Sequence, residues 1–343
     1  MKKINKTVIL FVILTIAMVS CENAAIEFDD FGKTVCYFPY QTPARTLILG
    51  KYDQGFNEND NNHQFEIGVT MTGVYENKSD RKVYFKLDQA LLANVTNVLP
   101  LPANYYTIET ASPVIIPKGD TKGRIMVKLT DAFFNDPKAI AALNTANYAI
   151  PLVISSVEGL DSIYSGKPAV ANPSRIKNTD WVVAPKDYTL FGIKYINKFH
   201  GNYLRRGADK LTNALNVEVG TTIYRNQYVE RNELVKASSF DLTSVTLPNT
   251  IRRFGSANGG TINLKLVFAA DGTCSVINTL DSKSIGTGSF KENGDKWGGI
   301  PQDVIYLNYA YTDLVLNEKH QVNDTLVIRD RGVVFETFPV TIQ

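Results

Sequence analysis

The chain has 343 residues, 44% of them hydrophobic, with 36 lysines and arginines against 34 aspartates and glutamates. Three of those lysines (Lys2, Lys3 and Lys6) precede the first apolar run, so the remainder carries 33 basic against 34 acidic residues. That balance argues against a nucleic-acid binder or a protein held to membranes by a basic patch, and the length suggests two domains.

The three lysines and the apolar stretch Thr7–Val19 have the layout of an export signal, too short for a comfortable permanent span. The run ends in Met18-Val19-Ser20-Cys21, which resembles a bacterial lipobox. Cleavage before Cys21 would make it the acylated first residue of the mature chain. Two or three acyl chains hold a soluble domain firmly, where one does not. The expected organisation is therefore a signal peptide over 1–20 and a lipidated tether over 21–34. Glu22 follows the cysteine in place of the aspartate that retains some lipoproteins at the inner membrane. The expected location is the outer membrane, facing outward, with the membrane contacted through the lipid alone. Cys36 and Cys274 match no metal spacing and read as buried free thiols.

After the tether, residues alternate with period two. Phe65, Ile67, Val69 and Met71 share a face in "QFEIGVTMTGV", as do Val83, Phe85 and Leu87 in "RKVYFKLD" and Ile125, Val127 and Leu129 in "GRIMVKLT". Half-buried antiparallel strands explain this, with turns at "NENDNN" and "PKGD". Two stretches read as helices, "DQALLANVTNV" and "DPKAIAALNTAN", the second with Asp136 as N-cap and Pro137 at the first helical position. Residues 35–196 are expected to form a β-sandwich. From 197 to 343 about eight further strands follow, with Asp271-Gly272 as the clearest hairpin signal. So many consecutive strands hide their edges in a closed barrel or a flattened sandwich. The fold class is all-β.

The ordered set "VYFKLDQALL", "LPLPANYYTIE", "VIIPKGDTKGRIMVKL" and "NYAIPLVISSV" resembles the N-terminal domain of unknown function of surface lipoproteins beside starch-utilisation-type glycan uptake systems. The segment from "DYTLFGIKYINKFHGNYLRRG" onward looks like the companion β-domain of such proteins. The resemblance implies an immunoglobulin-like sandwich followed by a lipocalin-like barrel. It also implies outer-membrane attachment, glycan or oligosaccharide as ligand, and a transporter with its surface lipoproteins as partners.

Catalytic signatures are missing. The histidines (His63, His200, His320) form no ligand pair, and there is no nucleophile elbow, Walker loop or dinucleotide fingerprint. The D-x-x-D-x-D-x-E run of glycosidases that share the N-terminal module is also missing. No catalytic residue, metal or cofactor is expected; the acidic loop "YDQGFNENDNNH" lacks the spacing of a calcium loop and reads as a solvated connection. Sugar binding needs exposed aromatic faces flanked by polar groups. Trp297, with Asp295 and Lys296 in the glycine-bracketed "KENGDKWGGIPQD", reads as a stacking platform or as a plug on the barrel end. Tyr203 and Arg205 in "HGNYLRRG" are a second candidate, although ordinary strand structure is the favoured reading there, and Trp181 reads as interdomain packing. The expected function is non-catalytic glycan capture for a neighbouring uptake complex. The alternatives are an adaptor that binds envelope proteins, or a lipocalin-like barrel around a small apolar ligand, which requires an internal cavity.

Overall fold

The computed structural model describes Asp30, residues 32–255, Ala257 and residues 259–343. The signal, the lipobox and Cys21 lie outside the described residues. The chain is all-β, with sandwich-like sheets followed by a closed eight-stranded antiparallel barrel.

The first strands are β1 (Val35–Tyr37), β2 (Pro43–Ile48), β3 (Gln64–Thr72), β4 (Arg81–Leu87), β5 (Leu99–Pro100), β6 (Tyr106–Ile108), β7 (Val114–Ile116) and β8 (Lys122–Leu129). They continue with β9 (Tyr148–Glu158), β10 (Ser162–Ile163), β11 (Lys167–Pro168), β12 (Trp181–Val183) and β13 (Tyr188–Ile196). One sheet has the order β10-β1-β3-β8-β6. Its β3 alternates as the sequence requires, with Phe65, Ile67, Val69 and Met71 buried against the facing sheet. That facing sheet contains β2, β13, β9, β4 and β7 in order. Its central strand β9 is buried at seven successive positions, Tyr148 to Ile154, because both of its faces are covered. Ile150, Leu152 and Ile154 face the first sheet, whereas Ala149 and Val153 pack under Leu91, Leu92 and Phe338.

The two expected helices are single 3-10 turns, Gln89–Leu92 and Pro137–Ala139. Asp136 does cap the second, accepting from the Lys138 amide at 2.8 Å. The turn stops at Ile140, whose backbone is extended, and a helix of one turn gains too few hydrogen bonds to propagate. Val83 and Phe85 are buried as expected, whereas Leu87, the last residue of β4, is exposed.

The barrel is formed by β14 (Gly201–Thr212), β16 (Glu233–Ser239), β17 (Ser244–Thr250), β18 (Thr261–Phe268), β19 (Thr273–Asn278), β20 (Ser284–Trp297), β21 (Ile300–Asp313) and β22 (Glu318–Asp330), while β15 (Glu218–Tyr224) pairs beside the second half of β14. Eleven residue pairs between β14 and β22 close it. The β18–β19 hairpin turns at Asp271-Gly272, where Gly272 has φ +83° and Asp271 accepts from the Thr273 amide. Cys36 and Cys274 are free and buried, and burial pushes both thiols up to about 12.

The barrel strands end at Asp330, and the chain then returns to the sandwich. Arg331 is buried and donates to the carbonyls of Leu49, Lys51 and Asn197, three backbone groups at the junction. The last strand, β23 (Glu336–Thr337), pairs with β2, and Glu336 meets Lys194 in a buried ion pair at 2.7 Å. Phe338 then fills the outer face of the sheet above Gly192.

Candidate functional site

The residues singled out from sequence separate into two places. On β14, alternation turns Tyr203 and Arg205 inward, and both are fully buried. Tyr203 donates its hydroxyl to the Phe199 carbonyl at 2.8 Å, and Arg205 pairs with Asp324 at 2.5 Å and reaches Tyr309 Oη at 3.1 Å. Neither residue is available to a ligand on the surface. Burial by itself would lower the Arg205 pKa, but the Asp324 carboxylate and the Tyr309 phenol outweigh it, so the guanidinium stays charged. A second buried pair, His320 Nδ1 with Asp209 Oδ2 at 2.9 Å, has the Tyr311 ring stacked on it at 4.4 Å. With Phe199, Phe268 and Phe290 at the other end, large side chains occupy the barrel interior. That packing disfavours a small apolar ligand held inside it.

Asp295, Lys296 and Trp297 lie at the end of β20, beyond a bulge between Lys291 and Asp295. The arm folds onto the outside of the barrel: Asp295 accepts from Arg206, and the Gly294 carbonyl accepts from Tyr306 Oη. Trp297 is half-buried and donates its indole N–H to the Ile328 carbonyl at 2.9 Å. Its indole edge is therefore tied to a strand end. Trp181 donates to the Ser174 carbonyl within its own connection.

A recess also opens in the sandwich, where the chain crosses from β1 in one sheet to β2 in the other. It is a cleft of about 500 Å³, within the size range of small-ligand sites. Three exposed rings frame it: Tyr40 from the crossing, Phe56 from the loop after β2, and Phe335 from the returning tail. Phe56 is 94% exposed, a large apolar side chain left in water. Tyr40 and Phe335 are in contact, with ring centroids 4.7 Å apart. Deeper in, Phe191 stacks on Phe65 at 5.5 Å, and the buried Thr189 Oγ1 has no hydrogen-bond partner. Arg45 and Asp60 stand at one side, 2.5 Å apart. Burial raises the Asp60 pKa, while Arg45 and the Ile48 amide oppose the rise. The combination of ring faces, a guanidinium and unpaired hydroxyl capacity can receive a molecule with both C–H and hydroxyl surfaces.

Sequence reasoning passed over Tyr40, Phe56 and Phe335. Phe56 lies within the acidic loop that reads as a solvated connection; a lone phenylalanine between Gly55 and Asn57 is the signal. Asp60 of that loop is buried against Arg45 and the Ile48 amide, so its role is to fix the loop beside the cleft.

Residues 198–332 match the model of a domain of unknown function, DUF5627, and residues 31–161 match a model described as an N-terminal domain. No curated protein matches the chain. Among solved structures, a Bacteroides ovatus protein of unknown function is 33% identical, with 91% of this chain and 100% of that chain covered and a TM-score of 0.82. An auxiliary nutrient binding protein from Bacteroides thetaiotaomicron VPI-5482 is 13% identical, covering 83% of this chain and 90% of its own, with a TM-score of 0.38. A second Bacteroides ovatus protein of unknown function is 12% identical, covering 88% and 94%, with a TM-score of 0.37. The chain belongs to the family of the 33%-identical Bacteroides ovatus protein, in which a DUF5627 barrel follows an N-terminal β-sandwich.

Proposed function

We propose that the protein is a non-catalytic, lipid-anchored protein of the outer cell surface that captures glycan for a neighbouring outer-membrane uptake complex. The observation that carries this reading is the aromatic rim of the sandwich cleft, Tyr40, Phe56 and Phe335. Pyranose rings present a C–H face that stacks on such rings, and their hydroxyls find Arg45, Thr189 and Gln54 on the walls. A half-open cleft buries little of a sugar, so the expected affinity is micromolar to millimolar, about −8 to −4 kcal/mol.

Affinity electrophoresis and titration calorimetry against plant and host glycans test the reading. Binding that is lost in Tyr40→Ala and Phe335→Ala is the expected result. Full binding in both variants, or no binding by the intact chain, counts against it. The anchor is tested separately: incorporation of radiolabelled fatty acid should disappear in Cys21→Ala.

A further inference from the structure

We infer that the outer wall of the barrel is a second binding surface, selective for glycan segments that carry carboxylate or sulfate groups. The inference rests on the glycan reading and extends it to a different part of the molecule. The surface is a trough of about 610 Å³ on the outward faces of β15, β14, β22, β21 and β20.

The register of these strands sets side chains in two parallel rows. One row runs Ile223, Ala208, Asn323, Asn308, Thr287. The next runs Arg206, Thr325, Tyr306, Ser289. At the usual spacing of about 4.8 Å between strands, five strands give a track of roughly 19 Å, the length of a short oligosaccharide. From β22 to β20 the residues along the track are amides and hydroxyls, which both donate and accept, and Tyr306 supplies one ring face. The small side chain of Ala208 keeps the middle of the track low, while the exposed Ile223 and Arg225 raise one side. At the other side stands the folded arm that carries Asp295.

The charges facing the trough are positive in sum. Arg225 is exposed and enters no salt bridge among the described residues, and Lys291 lies 5.8 Å from the centre of the Tyr306 ring. Asp295 is matched by Arg206. Asp324 borders the trough from inside the barrel, but it is held by Arg205, Tyr224 and Tyr309. A guanidinium fork with no ion-pair partner among the described residues, beside a row of amides and hydroxyls, fits a uronate carboxylate or a sulfate ester. Neutral sugars would leave it unpaired.

The test uses the full chain with polygalacturonate and heparin as acidic polymers and dextran as the neutral one. The acidic polymers should retard the protein in affinity gels, and more weakly as salt rises. Loss of one charge-assisted contact corresponds to roughly tenfold weaker binding in Arg225→Ala. Arg225→Lys should recover part of it, and Tyr306→Ala should weaken acidic polymers as well. Arg124→Ala, on the sandwich, controls for general charge and should change nothing. Acidic-polymer binding that survives both Arg225→Ala and Tyr306→Ala overturns the inference, as does absence of binding to either acidic polymer. The cleft is judged independently with neutral glycans: trough-dependent binding of acidic polymers upholds the trough, and neutral-glycan binding that is untouched by Tyr40→Ala and Phe335→Ala sinks the cleft alone.

Discussion

Phe335, on the segment that leaves the barrel, packs its ring 4.7 Å from that of Tyr40, on the crossing from β1 to β2 in the sandwich. The cleft wall is thus assembled from both ends of the described chain, and the returning tail is part of the candidate site.

The three rim aromatics should separate stability from binding. Phe56→Ala removes a ring that is 94% exposed, so the unfolding free energy should change by no more than about 0.5 kcal/mol. Tyr40→Ala and Phe335→Ala break one ring pair, worth about 0.5–1.5 kcal/mol. Glycan binding should fall in all three by far more than stability does. Urea unfolding beside affinity electrophoresis makes the comparison, and a rim variant that unfolds early instead of losing binding would mark the rim as structural.

The tail depends on Gly192. A Cβ at this position would lie 2.7 Å from the Phe338 ring and 2.7 Å from the Ala146 side chain. Gly192→Val should therefore displace Phe338, cost about 1–3 kcal/mol by overpacking, and release residues after Arg331. Limited proteolysis should then cut the C-terminal segment of the variant early. A tail as protected as in the parent chain would show that β23 and Arg331 hold it unaided.

Breaking the buried pair in the barrel should be costly. Asp324→Ala leaves the fully buried Arg205 without its counter-charge and should destabilise the protein by about 3–5 kcal/mol. The double replacement Arg205→Met with Asp324→Leu removes both charges and should cost less than Asp324→Ala alone. Chemical denaturation of the three proteins tests the order, and a double variant less stable than the single would contradict it.

Acid should weaken the junction through His200. Its Nδ1 accepts from the Ser239 amide at 3.0 Å, a bond that protonation destroys. Burial, and then the charges of Lys236, Arg331 and Lys194, push its pKa down from 6.5 to about 3. Between those values the unfolded chain binds a proton that the folded chain does not. The contribution of His200 is thus complete above pH 6.5 and is lost as pH falls toward 3, with a slope of at most about 1.4 kcal/mol per pH unit. Carboxylates also respond in this range, so the measurement is the difference between the parent and His200→Gln. The variant should show the shallower loss between pH 6.5 and pH 4, and parallel curves would exclude the histidine.

The alternation of β3 and β8 and the Asp271-Gly272 turn were legible in the sequence because they are local: period two and a left-handed glycine follow from neighbouring residues alone. The same patterning identified an all-β chain with a sandwich ahead of a closed barrel or a flattened sandwich, and closure of β14 onto β22 decided for the barrel. It could not tell a short helix from a 3-10 turn at Gln89 or Pro137, because Leu91, Leu92 and Ala139 are apolar for the sheet they cover and not for a helical stripe.

Alternation on β14 also left Tyr203 and Arg205 undecided. A period of two says that they share a face with Asp209, yet not which face; closure of β14 onto β22 turned them inward, against Asp324. The register across β14, β22, β21 and β20 likewise decided which polar residues line up on the outer wall. The crossing of β1 to β2 and the return of β23 brought Tyr40, Phe56 and Phe335 around one opening. Sequence periodicity fixes what each strand presents, because it depends on a few adjacent dihedrals. Which presentations meet depends on pairings between residues far apart in the chain, and only the folded structure specifies those.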